Sequence, residues 1–510
     1  MAATHVTDPE IPAGADTISV RRPSDGSILG EIPLHDADQV GAMAERLRTA
    51  QTQWEAIGVK QRTHWIRKFR QWLLDNADEL IRIGQDEGGR PANEPLLELT
   101  LMVEVIDHYT RVAPKLMATT TTRGSSLLVL GKKYTVHRTA RPLVGVIGAW
   151  NYPLLLTFGD ALPALFAGSA VILKPSEVTP LGVKALVRGW REIGAPAVVD
   201  VAFGGGETGQ ALVDVVDFVQ FTGSVATGKR VAARAAETVT PVSLELGGKD
   251  PLLVLDGANV PRAVNCALYG GYTNNGQVCM GIERVYVAAG VYDAFVDQLT
   301  EKVRSLRSGV GDNSDVGALT HPPQIDVVDR QVTDAVEKGA RVLTGGHKVD
   351  GPGTWFEPTV LVDVDHSMLI MQEETFGPVL PIVKVADTEE AIALANDSDF
   401  GLSATVFARS TQEGERVAAR LDAGAVNIDQ FLANMMCAEV PQSGWKTSGI
   451  GGRAAEQGLL KYTRTKVVAT SWIPVPVNDL NWFPYTPRRR ALFRAATRFA
   501  HRRGLARFGL

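Results

Sequence analysis

The sequence predicts an α/β protein with more than one domain and largely parallel sheets. Three observations carry this expectation. At 510 residues the chain is longer than one compact core usually organises. From Arg141 onward, short apolar runs of strand length alternate with helical segments, and the same rhythm restarts near Leu252. Strands covered by helices on both faces read as continuous apolar runs, as these do, and not as alternating ones.

The elements follow in chain order. Residues 57–87 read as one long amphipathic helix, with Trp65, Phe69, Trp72, Leu73, Leu80 and Ile83 on its apolar face. Thr119 to Thr122 interrupt the helical pattern, and residues 126–137 alternate weakly, like a strand. Buried strands are expected at Leu143-Val144-Gly145-Val146-Ile147-Gly148, at Ala170-Val171-Ile172-Leu173 and at Asp217-Phe218-Val219-Gln220-Phe221. Helices at 162–168, 181–193 and 226–237 would separate them. The second unit is expected to hold strands at 252–255, 284–288, 380–385, 404–408 and 425–428, and helices at 260–272 and 292–306. Two α/β units in tandem place residue 279 near their junction, where clefts form.

Composition narrows the function. With 45% hydrophobic and 21% charged residues the chain is an ordinary globular one. It has no apolar run long enough to span a bilayer, and its polar first 17 residues do not resemble a signal peptide. The three cysteines, Cys266, Cys279 and Cys437, are too few and too scattered for a disulfide framework or a Cys-x-x-Cys metal site. No metal is expected, and a reducing, cytoplasmic setting fits. The net charge of −5 argues against nucleic acid as a partner.

The chemistry concentrates around Cys279, in Tyr272-Thr273-Asn274-Asn275-Gly276-Gln277-Val278-Cys279-Met280. A lone cysteine is usually a small buried hydrophobe, but Gly276 and Gly281 leave room for a substrate, and a thiolate is a strong nucleophile. Cys266 sits in a helical apolar run and reads as core. Cys437, in an apolar loop, reads as structural or pocket lining. Upstream, Glu245 in Leu244-Glu245-Leu246-Gly247-Gly248-Lys249 has apolar neighbours that suggest a partly buried carboxylate, with the raised pKa that suits a base acting on water. Alone it would read as a solvated edge residue. Asn151, in Trp150-Asn151-Tyr152-Pro153 past a strand end, could offer an amide to an oxyanion or simply serve a turn.

Two glycine patterns compete for phosphate. Gly204-Gly205-Gly206-Glu207-Thr208-Gly209 matches G-x-G-x-x-G, but Glu207 sets a negative charge where a pyrophosphate would sit, and it reads as a turn. Gly223-Ser224-Val225-Ala226-Thr227-Gly228 follows a clear strand and opens a helix without acids, so the free N–H groups there are preferred. Lys174-Pro175-Ser176-Glu177 follows another strand. Glu177 could accept ribose hydroxyls and repel a 2′-phosphate, or the four residues could be a solvated loop.

Taken together, these segments and Glu374-Thr375-Phe376-Gly377-Pro378 resemble the aldehyde dehydrogenase superfamily, from about residue 20 to residue 472. The resemblance implies a Rossmann-like cofactor domain (residues 1–121 and 141–246), an α/β catalytic domain (247–445) and a β oligomerisation arm (122–140 and 463–472), with a basic extension at 473–510. It implies NAD as cofactor, with NADP accepted, and a homodimer or homotetramer. By the same resemblance, Cys279 attacks the aldehyde, Asn151 and the Cys279 N–H hold the oxyanion, and Glu245 activates water on the thioester. Lys174 and Glu177 hold the adenosine ribose, Trp150, Gly223, Ser224 and Gly228 border the pyrophosphate, and Glu374 and Phe376 hold the nicotinamide end. Acylating relatives that use coenzyme A lack the Glu245 carboxylate, so a hydrolytic outcome is implied.

The chain also departs from the pattern. Gly159 stands where relatives carry a bulky or cationic residue, and Asp160 where they carry lysine. A near pocket lined by Leu155, Phe158, Val278 and Met280 is expected, favouring an apolar aldehyde. A late turn, Pro441-Gln442-Ser443-Gly444-Trp445-Lys446, replaces the usual Phe-Gly-Gly and implies a local change. The alternatives are a succinic-type semialdehyde dehydrogenase, a non-catalytic structural protein on the same fold, and a papain-like thiol hydrolase. The last lacks a recognisable histidine motif among the nine histidines.

Residues 473–510 hold eight arginines and one acid, Asp479. Leu492, Phe493, Ala496, Phe499 and Ala500 fall near one face of a helix. Docking on the acidic body of the protein is the favoured expectation, with peripheral membrane contact as the alternative.

Overall fold

The computed structural model describes residues 16–123, 129, 131–311, 313–471 and 482–501. Its centre is two mixed sheets, each mostly parallel. The first has six strands in the order Gly449–Ile450, Val242–Glu245, Phe218–Thr222, Leu143–Ile147, Ala170–Lys174, Val199–Val201. All neighbours are parallel except the short edge pair, in which Gly449 faces Glu245. Strand order reverses at Leu143–Ile147, which has the later strands 170–174 and 218–222 on opposite sides. A crevice opens at the carboxyl ends of strands at such a point. The loops 148–153, 175–180 and 223–224 all leave from that edge.

The second sheet has seven strands in the order Arg341–Thr344, Thr359–Val362, Val379–Val385, Ile282–Ala288, Asp250–Val254, Ser403–Phe407, Ala425–Ile428, antiparallel only at its first pair. Both sheets are apolar on both faces. Strands 143–147, 170–174 and 282–288 are buried at every residue, as the continuous apolar runs require. A third sheet of Thr120–Arg123, Lys132–Ala140 and Thr463–Ser471 stands apart and antiparallel. Val467 and Val468 are exposed on its outer strand.

Several expectations change in detail. Residues 57–87 form two helices, Gly58–Asp75 and Ala77–Gly88. The break is Asn76, whose side-chain amide and backbone N–H both donate to the Trp72 carbonyl, at 2.8 and 3.0 Å. A short amide side chain competes with the helix ladder in this way. The helix expected at 162–168 begins earlier, as a π-turn Leu154–Gly159 running into Asp160–Ala167. The strand expected at 126–137 lies at Lys132–Ala140, and residues 124–128 fall outside the described set. Residues 446–462 return to the first sheet through Gly449–Ile450 and the helix Ala455–Leu460.

Candidate active site

The loop that carries Cys279 is built by backbone strain and buried polar anchors. Asn274, Asn275 and Gly276 are consecutive left-handed residues, at φ 47, 56 and 74°. Asparagine tolerates this region and glycine favours it. A Cβ on Gly276 would sit 2.1 Å from the Gly377 carbonyl, so the turn also needs the missing side chain. Gln277 is fully buried. Its Nε2 donates to Asn274 O at 2.9 Å, and its Oε1 accepts from Thr320 N at 2.8 Å. Glu94 accepts from Thr273 Oγ1 at 2.6 Å and from Asn274 N at 3.0 Å.

Asn151 is tied into the same loop. Its Nδ2 donates to Gln277 O at 2.9 Å, while its own carbonyl accepts from Arg90 Nη1 at 2.9 Å and from Asn274 Nδ2 at 3.1 Å. Arg90 pairs with Glu98, and Glu98 Oε2 accepts from the N–H groups of Leu154 and Leu155 at 2.9 and 3.1 Å. This buried chain, Glu98–Arg90–Asn151–Gln277, sets the Asn151 amide beside Cys279. Neither Arg90 nor Glu98 stands out in the sequence, because each lies in a helix or turn far along the chain.

Glu245 ends the strand Val242–Glu245 and is buried, and its Oε1 has no hydrogen-bond partner. Burial raises its pKa, with Arg453 and Lys461 pulling the other way. Cys279 is half-buried, and burial pushes its thiol up to about 12, again opposed by Arg453. Burial thus disfavours the charged form of both the thiol and the carboxyl.

Arg453 is the group that sequence reasoning missed. Its Nη1 lies 3.8 Å from Glu245 Oε2, and its Nε and Nη2 each donate to Asp160 at 2.8 Å. Nη2 also donates to Thr222 Oγ1. Behind it, Lys461 Nζ donates to Gln220 Oε1 at 2.6 Å and to Gly452 O at 2.7 Å. Burial lowers Lys461 to about 8. Two cations and two carboxylates thus balance in one buried cluster. The signal for it was Asp160, an acid in a sequence that otherwise reads apolar, but its partner lies 293 residues away.

Two cavities meet at Cys279. One is lined by Trp150, Asn151, Gly223, Ser224, Gly247, Glu374 and Phe376, with Glu245 and Cys279 on its wall. Glu374 Oε1 accepts from Gly248 N at 3.0 Å, and burial beside Glu283 raises its pKa to about 8. A Cβ on Gly247 would stand 2.5 Å from Glu374 Oε2, so a side chain there would push the Glu374 carboxylate aside. The turn is held by Lys249, which donates to Glu283 Oε2 at 2.7 Å and Thr375 Oγ1 at 2.8 Å, while Glu283 accepts from the N–H groups of Thr375 and Phe376. The Phe376 ring stands edge-on to Trp150, centroids 5.2 Å apart.

An adjoining cavity is lined by Lys174, Gly205, Gly206, Gly209, Thr227 and Arg230. Lys174 donates to Glu177 Oε2 at 3.3 Å. The first glycine motif borders this cavity, and the second lies between the two cavities, with Gly223 and Ser224 on the wall of the former and Thr227 on the wall of this one. The first, expected to be only a turn, opens the helix Gly206–Val215 on its wall. Ser224 caps the helix Val225–Glu237, accepting from Thr227 N at 3.3 Å. Gly228 does not reach the groove. Its missing side chain makes room for Leu246, 2.5 Å from where a Cβ would stand. Glu374 on one cavity, Lys174 and Arg230 on the other, and the N-terminus of the helix Val225–Glu237 are groups of the kind that bind a dinucleotide.

The other cavity is lined by Leu97, Leu101, Leu155, Val278, Met280, Leu432, Met435 and Met436, with Tyr152, Asn434 and Arg453. It is apolar, as expected, with one correction. Phe158 is fully buried and stacks on Phe69 at 4.6 Å, because the π-turn rotates it into the helix layer. Gln442 in the unusual late turn also lines it, and donates to Asn434 O at 3.2 Å. The other cysteines lie elsewhere. Cys266 packs in the core of the second unit, and Cys437 donates to Glu439 at 3.4 Å.

Comparison with known proteins agrees with this geometry. The profile of the Aldehyde dehydrogenase family matches residues 11–468. A Mycobacterium ulcerans protein provisionally named succinate-semialdehyde dehydrogenase of the NADP(+) type is 39% identical over 88% of this chain and 87% of its own. The 4,4'-diapolycopene aldehyde oxidase of a Methylomonas species is 37% identical over 92% of this chain and 88% of its own. A solved structure provisionally named aldehyde dehydrogenase PutA, from Anabaena variabilis, superposes with a TM-score of 0.88 at 37% identity, covering 92% of this chain and all of that one. With a cysteine, a buried carboxylate and a dinucleotide groove in one place, and the match running along nearly the whole chain, this protein belongs to the aldehyde dehydrogenase family.

Proposed function

We propose that the protein oxidises an apolar aldehyde to its carboxylic acid, using Cys279 as nucleophile and Glu245 as the base for hydrolysis. The observation that carries this reading is that both side chains stand on the wall shared by the dinucleotide groove and the apolar cavity. An aldehyde entering from the apolar side would present its carbonyl to the sulfur. Cys279 gives up its proton, with Glu245 Oε1 the free acceptor, and forms a C–S bond to give a thiohemiacetal. The Asn151 amide has two Nδ2 hydrogens, one committed to Gln277 O, so the second can stabilise the oxyanion together with the Cys279 N–H. Bound NAD(P) would supply the hydride acceptor for the former aldehyde carbon, leaving a thioester on Cys279. Glu245 releases the thiol's proton to solvent, then takes one from the water that attacks the thioester; the C–S bond breaks, the acid leaves and Cys279 regains its proton from Glu245. Arg453 opposes the burial that raises the Glu245 pKa, favouring the ionised carboxylate.

Glu374 and Phe376 would hold the nicotinamide end of the cofactor, Trp150, Gly223 and Ser224 its phosphates, and Lys174 and Glu177 its adenosine ribose. Glu177 favours NAD, while Lys174 and Arg230 leave NADP acceptable. The exposed Val467 and Val468 on the outer strand of the separate sheet support a homo-oligomer built through that sheet. All three cysteines are free, which supports a cytoplasmic setting.

The semialdehyde reading has the name of the M. ulcerans relative in its favour. Against it, Arg453 is the one cation among the described residues lining the apolar cavity, and Asp160 and Glu245 already neutralise it. The test is NAD(P)H formation with hexanal, decanal and succinic semialdehyde. Decanal is expected to exceed the semialdehyde in kcat/KM by about a hundredfold; a preference for the semialdehyde would overturn the assignment.

A further inference from the structure

The tail forms an amphipathic helix that is largely exposed. Residues Pro487–His501 form one continuous helix, and Thr486 Oγ1 accepts from Arg489 N at 3.3 Å at its start. Leu492, Ala495, Ala496 and Phe499 recur at i, i+3, i+4 and i+7 and share one face. Arg490, Arg494 and Arg498 recur every fourth residue on the opposite face, joined there by His501. No acid occurs between residues 482 and 501.

Just before the helix stands a cluster of exposed aromatic side chains. Trp482, Phe483 and Tyr485 are 53, 72 and 67% exposed, and Leu492 on the helix is 60% exposed. Arg489 Nη1 donates to the Trp482 and Phe483 carbonyls at 3.2 and 3.1 Å, which folds this aromatic stretch against the helix start. Docking on the acidic body of the same chain was the favoured expectation. Among the described residues, Arg490, Arg494 and Arg498 form no ion pair with that body.

We propose that residues 482–501 dock the protein on the surface of an anionic lipid bilayer. The chemistry favours lipid over a second protein surface. A protein partner would offer acids spaced to meet the arginines, but it would have no special use for Trp, Phe and Tyr grouped at one end of a cationic helix. A bilayer interface takes both: aromatic rings settle at headgroup depth, the apolar face sinks to the acyl boundary, and arginines meet lipid phosphates. The inference stands whichever aldehyde the enzyme uses.

The test is co-sedimentation of the full chain with phosphatidylcholine vesicles, with and without phosphatidylglycerol, at low and high salt. Pelleting is expected only with phosphatidylglycerol, and reduced by salt. Replacing Arg490, Arg494 and Arg498 by Gln should weaken binding about a hundredfold, at about 1 kcal/mol per basic residue. Leu492→Asp combined with Trp482→Ser should abolish binding with the arginines intact, which separates insertion from simple charge attraction. Deleting residues 482–510 should abolish binding and leave turnover of a water-soluble aldehyde unchanged. Absence of pelleting, or equal pelleting of the deleted protein, would overturn the proposal. So would tail-dependent self-association in light scattering without vesicle binding, which would make a second copy the partner.

Discussion

The two sides of Cys279 are built by different means. The groove side is the more polar of the two and is assembled largely from short stretches at strand ends: residues 149–151, 222–224, 245–247 and 374–376, with Gln324 and Val327. The cavity side is apolar and assembled from side chains of several helices and a late loop, between Leu97 and Arg453. A rigid cofactor of fixed shape is met by backbone N–H groups and carboxylates, which must sit at set positions in the chain. An aldehyde tail is met by bulk and exclusion of water, which many residue combinations supply. The groove therefore constrains the sequence tightly and the cavity loosely.

The comparison breaks first at the sulfur that both sides share. Cys279→Ala should lower turnover by about 10⁴-fold or more and leave NAD binding intact by fluorescence titration. Glu245→Gln should separate the two halves of the reaction. Acyl-enzyme would form in a burst, while steady-state turnover falls by about 10²–10⁴-fold; an unchanged steady-state rate would remove the base role. On the groove side, Lys249→Met strands the buried Glu283 carboxylate and should cost about 3–5 kcal/mol. It would be seen as a lower Tm, together with a raised KM for NAD as the 374–376 turn loosens.

Between the two sides stands Arg453. Its positive charge lowers the raised pKa of Glu245, and a base acts only when deprotonated. Arg453→Met should therefore move the acid limb of the pH–kcat/KM profile to higher pH, by about one unit if the lost interaction is about 1.4 kcal/mol. A purely structural loss would lower the plateau without moving the limb. The smallest effect is expected at Glu177→Ala, which should improve NADP relative to NAD by about tenfold in kcat/KM by removing the charge that repels a 2′-phosphate.

Much of the groove was legible along the chain. Gly223 and Ser224 follow a strand and open a helix, Glu245 sits between leucines before two glycines, and Cys279 follows a glycine-rich turn. Each carries its local reason with it. Gly228 misled, because a glycine needed to admit Leu246 looks the same in sequence as one needed to admit phosphate. Phe158 misled because periodicity does not announce a π-turn, and one extra residue in a turn rotates every later side chain. Gly205, Gly206 and Gly209 line a cavity although the acid between them, Glu207, is exposed.

What the sequence determined by itself is the set of local events: which runs become buried strands and where helices open. These depend on residues within a turn or two of one another. Only the tertiary structure decided that Asp160 meets Arg453, that Arg90 meets Asn151, and that Lys249 meets Glu283. Such pairs exist because burial forbids a lone charge, so any partner the fold brings near will serve, and nothing local records which one it will be.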